Sequence, residues 1–212
     1  MLGALLGVRH ALEPDHLAAV STLVEGGPGP LRGALVGAFW GIGHTVSLLV
    51  IWAVLALLHA ELPVRLMHLF ELLVAVMLIA LGIRSVRRAL APLPAPALPA
   101  HGHEHPRTKL IDWSILNRPL GAGLVHGAAG SGALTALVMA GLPSPALRLA
   151  YIGLFGIGSL CGMALLTGLF ALPLSRMHGS KPALRLLPAL TGCLATALGV
   201  QWAYAPLFGL LH

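Results

Sequence analysis

Apolar residues fall along this chain in long blocks, without the strict alternation that marks strands. Blocks near 2–24, 34–58, 66–90, 119–141, 147–173 and 183–211 each run roughly 20 residues or more, enough for a helix to cross ~30 Å of hydrocarbon. Polar residues collect mostly in the gaps. The pattern predicts an all-α, polytopic membrane protein with six transmembrane helices. The first block departs from it, because His10, Glu13, Asp15 and His16 lie inside an otherwise apolar stretch. The second block repeats the departure on a smaller scale with His44, set between Gly43 and Thr45.

Composition agrees with the blocks. Hydrophobic residues make up 57% of the chain, charged residues 9%, and mean hydropathy is +0.88; a soluble domain carries roughly a quarter charged residues. The formal charge of +6 therefore reports loop placement relative to the bilayer and gives no reason to expect a nucleic-acid partner. Cys161 and Cys193 are isolated in separate apolar blocks with no paired-cysteine motif, which disfavours a thiol–disulfide carrier. The first block lacks a basic leading region and holds ionisable groups where a signal peptide is plainly apolar, so it is expected to be retained.

Six crossings sort the basic residues by side. Arg32, Arg84, Arg87, Arg88, Arg107, Lys109, Arg118, Arg176, Lys181 and Arg185 fall on one side, Arg65 and Arg148 on the other, and Arg9 within the first block. The positive-inside rule makes the richer side cytoplasmic and puts both termini outside; a bacterial inner membrane is the expected location. The longest gap, 91–118, holds Pro92, Pro94, Pro96 and Pro99, then His101, His103 and His105. Its prolines oppose a helix, and its alternating imidazoles make it either an accessory metal-binding loop or a polar linker.

This loop divides a single membrane domain into two three-helix halves, 1–90 and 119–212. The halves resemble each other at a nearly constant offset. Gly26-Gly27-Pro28-Gly29-Pro30 matches Gly141-Leu142-Pro143-Ser144-Pro145, and Trp40-Gly41-Ile42-Gly43-His44 matches Phe155-Gly156-Ile157-Gly158-Ser159, both displaced by 115; His10 and His126 are displaced by 116. Because each half has an odd number of crossings, the two are expected as inverted repeats, a transporter architecture whose site lies near the midplane.

Ionisable groups at membrane depth usually line a cavity, an ion pathway or a proton relay. On an unkinked helix turning ~100° per residue, Asp15 and His16 would point about 140° and 240° away from His10. Pro14 is expected to kink the helix, let the three approach, and free the His10 carbonyl for water or a cation. Glycines at 37, 41 and 43 permit close helix contact that would bring His44 to the cluster. A purely structural hydrogen-bond network is the competing reading.

His10-x4-Asp15-His16, followed by Gly43-His44-Thr45, resembles the signature of the nickel/cobalt transporter family. The run from Val125 to Ser131, together with Phe155 to Ser159, is similar to later elements of the urease-accessory-like branch of that superfamily. The resemblance implies that His10, Asp15, His16 and His44 select and pass a divalent metal. Beside these four, Glu13, Thr45, His126, Ser131 and Ser159 are candidates for additional ligands or supporting groups, His126 equally as a helix-packing histidine. Glu13-Pro14 stands where family members commonly have Asp-Ala. Classical members also carry a helix before the motif helix, which agrees with an outside N-terminus here.

The function expected is transport of Ni2+ or Co2+ by a protein that is not an enzyme and holds no permanent cofactor, the ion being cargo. The partners expected are the divalent metal ion, the lipid bilayer and a metal-enzyme maturation system. Uptake and efflux are both open. An intramembrane Zn-dependent hydrolase would use the same ligand types, and a small organic or sulfur anion transporter would suit the Gly-rich helix breaks without accounting for Asp15 beside two histidines.

Overall fold

A computed structural model describes residues 1–24, 29–58, 62–91, 113–129, 141–176 and 181–211. These form seven helices: α1 (Leu2–His10), α2 (Pro14–Leu23), α3 (Pro30–Leu58), α4 (Val64–Leu90), α5 (Trp113–Ala129), α6 (Pro145–Arg176) and α7 (Lys181–Leu211). Four stretches, Pro30–Leu57, Val64–Leu90, Pro145–Ser175 and Arg185–Leu210, are long and apolar enough to cross a membrane. The chain is an all-helical membrane protein. Large apolar side chains such as Leu57, Val76, Leu165 and Val200 are exposed on these helices, as a lipid-facing surface requires.

The first apolar block is divided. α1 has 9 residues and α2 has 10, each about half the length of a crossing. Pro14 lacks an N–H and cannot continue α1, but at the first position of α2 no donor is needed there. Its ring also drives the preceding residue out of helical geometry, and Glu13 is extended at φ −63°, ψ 146°. The expected kink is thus a complete break. The His10 carbonyl is not freed by it, because the Glu13 N–H turns back and donates to that oxygen at 3.0 Å.

A second boundary also differs from expectation. α5 begins at Trp113, inside the loop drawn at 91–118. Hydropathy marks where the bilayer core begins, whereas helical hydrogen bonding starts earlier. Most of the 119–141 block beyond Ala129 lies outside the described residues, as do His101, His103 and His105.

Close helix contacts set the architecture. α3 runs antiparallel to α6, since Gly33, Gly37 and Gly41 meet Thr167, Met163 and Leu160 in descending order. α4 and α7 are also antiparallel: Gly82 meets Gly192 and Thr196, and Gly199 meets Ala75 and Ile79. α1 lies on α6, and α5 lies on α3. A side chain at Gly7 would collide with the Phe155 carbonyl, and one at Gly123 with the Trp40 carbonyl. Small residues let backbones approach in a medium that offers no hydrophobic drive between helices. The central core, which includes Ala18, Ala19, Val20, Trp40, Leu78 and Met163, packs around the short helix α2.

Candidate metal centre

The break at Ala11–Glu13 is what assembles the site. It ends α1 at His10 and restarts the chain with Asp15 and His16 in the first turn of α2, so the residues no longer obey one helical wheel. α3 contributes His44 and α5 contributes His126. Asp15, His16, His44 and His126 are fully buried and His10 is nearly so, at 4% exposure.

The groups form a connected network. His10 Nδ1 lies 3.0 Å from Glu13 Oε2, and His10 Nε2 lies 3.1 Å from His44 Nε2. His16 Nδ1 lies 3.3 Å from Asp15 Oδ1, while His126 Nε2 lies 2.6 Å from Asp15 Oδ2. Assigning tautomers from this network, His10 donates its Nδ1–H to Glu13, and His16 donates its Nδ1–H to Asp15. That leaves the Nε2 lone pairs of His10 and His16 on the inward side. A carboxylate holding the remote N–H of an imidazole is the usual support of a metal-ligating histidine.

Two ligand triads result. His10, His16 and His44 offer nitrogen atoms all within 4.8 Å of one another, and Asp15, His16 and His126 offer a second set within the same limit. A metal–nitrogen bond of ~2.0–2.1 Å gives neighbouring ligands a separation of about 2.9 Å in an octahedral site and about 3.3 Å in a tetrahedral one. The 3.1 Å between His10 and His44 already has that spacing. Among the described residues His16 Nε2 and His126 Nδ1 have no hydrogen-bond partner, so buried polar atoms stand ready for a ligand.

Aromatic walls enclose the network. Trp40 stacks on His16 with ring centres 5.4 Å apart and planes inclined by 15°, and Phe155 lies 5.4 Å from the His10 ring. Trp40 and Phe155 are the pair that the 115-residue offset equates; the sequence carried that equivalence but gave no sign that both face the histidines. Glu13 is part-exposed at 37% and connects the buried set to the exterior.

Two further candidates bond to backbone carbonyls at helix contacts. Thr45 donates to the Gly41 carbonyl at 2.8 Å and lies 3.3 Å from the Gly156 carbonyl, at the α3–α6 contact. Ser159 is buried and donates to the Gly7 carbonyl at 3.3 Å, tying α6 to α1. Both hydroxyls serve helix packing. Ser131 lies outside the described residues.

Urease accessory protein UreH of Bacillus sp. (strain TB-90) is 32% identical to this chain over 211 residues, covering 96% of this chain and 89% of its own length. The chain belongs to the UreH family. Two chloroplast proteins of Arabidopsis thaliana are more distant relatives. FOR GROWTH AND FERTILITY 1 is 25% identical over 98% of this chain and 59% of its own length, and FOR GROWTH AND FERTILITY 2 is 27% identical over 76% and 44%. No family model matches the chain, and no solved structure matches it. Membership in the UreH family agrees with the urease-accessory-like branch that the sequence resembles.

Proposed function

We propose that the protein is a secondary transporter of Ni2+ or Co2+, with His10, Asp15, His16 and His44 handling the ion inside the membrane. The observation that carries this is the facing pair His10 Nε2 and His44 Nε2, 3.1 Å apart and buried with His16 beside them. One shared proton satisfies a single pair; it gives no reason to gather a third imidazole and a carboxylate from α2. Imidazole and carboxylate suit first-row divalent metals, and Ni2+ and Co2+ are preferred to Cu2+ through site geometry, since raw affinity favours copper. Urease is a nickel enzyme, so kinship with a urease accessory protein fits a nickel cargo and a maturation system as recipient. The same reading makes this chain a member of the wider nickel/cobalt transporter superfamily, in a bacterial inner membrane with both termini outside.

Six crossings in two inverted halves complete the proposal, with α1 and α2 together forming the first crossing. The supporting pattern is that contacts recur after adding 115 to 117. Gly7 on Phe155 answers to Gly123 on Trp40; Gly158 on Ala4 answers to Gly43 on Leu120; Gly82 on Gly192 and Thr196 answers to Gly199 on Ala75 and Ile79.

The test is uptake and efflux of Ni2+ and Co2+ by cells producing the chain, with His10→Ala as control and membrane insertion measured in parallel. Transport should fall at least about tenfold in the variant, since even supporting residues of metal sites carry effects of that size. Equal transport by the variant would refute the assignment.

A further inference from the structure

The two triads have one residue in common. His16 belongs to both, and its ring centre lies 4.4 Å from that of His10 on one side and 4.1 Å from that of His126 on the other. A resting hydrogen bond holds its Nδ1 against Asp15, and its Nε2 has no hydrogen-bond partner among the described residues, so Nε2 is the nitrogen open to an ion in the resting network. One nitrogen serves one ion. Filling both triads together would require a deprotonated imidazole bridging two dications, with Asp15 the one carboxylate in either triad to offset their repulsion.

We infer that the triads are two successive stations for a single ion, His10–His16–His44 and then Asp15–His16–His126, with His16 passing the ion between them. This rests on the metal-transport reading above. The stations differ in charge. The first presents three neutral imidazoles; the second replaces one with a carboxylate that offsets part of the ion's charge and that in the resting network accepts from His126 Nε2. The first adjoins part-exposed Glu13 through His10, and the second reaches α5, in the other half of the chain. Trp40, stacked on His16 and edge-on to His126 at 5.7 Å, walls the shared ring while it changes partners. Handing an ion between ligand sets avoids a site so tight that the ion cannot leave.

The experiment uses the full chain purified in detergent, titrated with Co2+. Visible absorption reads the ligand set, equilibrium dialysis reads the number of ions bound, and cellular Co2+ transport is measured beside them. Wild type should bind one Co2+ per chain. His44→Ala and His126→Ala should each still bind one, with different spectra because different stations remain, and both should lose transport at least about tenfold. His16→Ala should lose binding at least about a hundredfold, because both stations fail. If an alanine variant does not insert, the corresponding glutamine variant, similar in size and a poor ligand, gives the same reading. Two ions bound at once would overturn the handover, as would a His126→Ala variant with wild-type spectrum and transport, or a His44→Ala variant that binds nothing while His126→Ala is unaffected. A wild-type chain that transports Co2+ through one indivisible site refutes only the two stations. A wild-type chain that neither binds nor transports Co2+, and does neither when Ni2+ is supplied in its place, refutes the transport function itself.

Discussion

Pro14 does more for the site than any ligand, because it decides that the ligands meet. Its missing N–H ends α1, and the extended Glu13 before it redirects the chain so that His10 and His16 come within a ring-to-ring distance of 4.4 Å. Pro14→Ala restores a donor and removes the ring, so α1 and α2 should join into one helix and turn His10 away from His16. Co2+ affinity should fall at least about tenfold while the protein still inserts, read by the same absorption titration; unchanged affinity would mean that tertiary packing, not proline, holds the break. The proline and the ionisable cluster were legible from the sequence, and so was an interruption between them. The fate of the His10 carbonyl was not, because it depends on the Glu13 N–H folding back by one turn. His126 was visible only through its 116-residue offset from His10, since a lone histidine in an apolar helix has no local signal. Its bond to Asp15 exists only after α5 docks on α3.

Whole elements were read more securely than single contacts, for a physical reason. A bilayer imposes one length on every crossing, and the blocks at 34–58, 66–90, 147–173 and 183–211 lie within a few residues of α3, α4, α6 and α7. What hydropathy cannot supply is which faces touch, and there the glycines decide. Gly7 of α1 and Gly123 of α5 each face a neighbouring backbone carbonyl, which cannot move aside as a side-chain tip would. Overfilling a close-packed contact costs about 1–3 kcal/mol even for extra methylenes. Gly7→Leu and Gly123→Leu should therefore lower the thermal stability of the detergent-solubilised protein and, by displacing α1 or α5, weaken metal binding. Gly153 on α6 has open space around the position of a side chain, so Gly153→Leu should leave both nearly unchanged. Similar losses from all three would show that the close contacts are not what positions the site.

At the scale of the molecule, the antiparallel pairing of α3 with α6 makes a prediction that no local feature can. The ends that begin these helices, near Arg32 and Arg148, lie at opposite extremes of the fold because Gly33 meets Thr167 while Thr45 meets Gly156. On the proposed six crossings the basic residues weigh the two faces unequally, with Arg32 at the start of α3 falling on the same side as Arg84, Arg87 and Arg88 at the end of α4, and Arg148 at the start of α6 on the other. The richer face should be cytoplasmic. Leu31 and Leu147, exposed beside these arginines, are suitable reporters once Cys161 and Cys193 have been replaced. In intact cells an impermeant thiol reagent should label Leu147→Cys directly and Leu31→Cys only after the membrane is opened. Labelling of both from outside would contradict inverted halves and the odd number of crossings that separates them. The reverse pattern, Leu31→Cys first, would keep the inversion but turn the protein over, placing its termini and Glu13's end of the site on the opposite face.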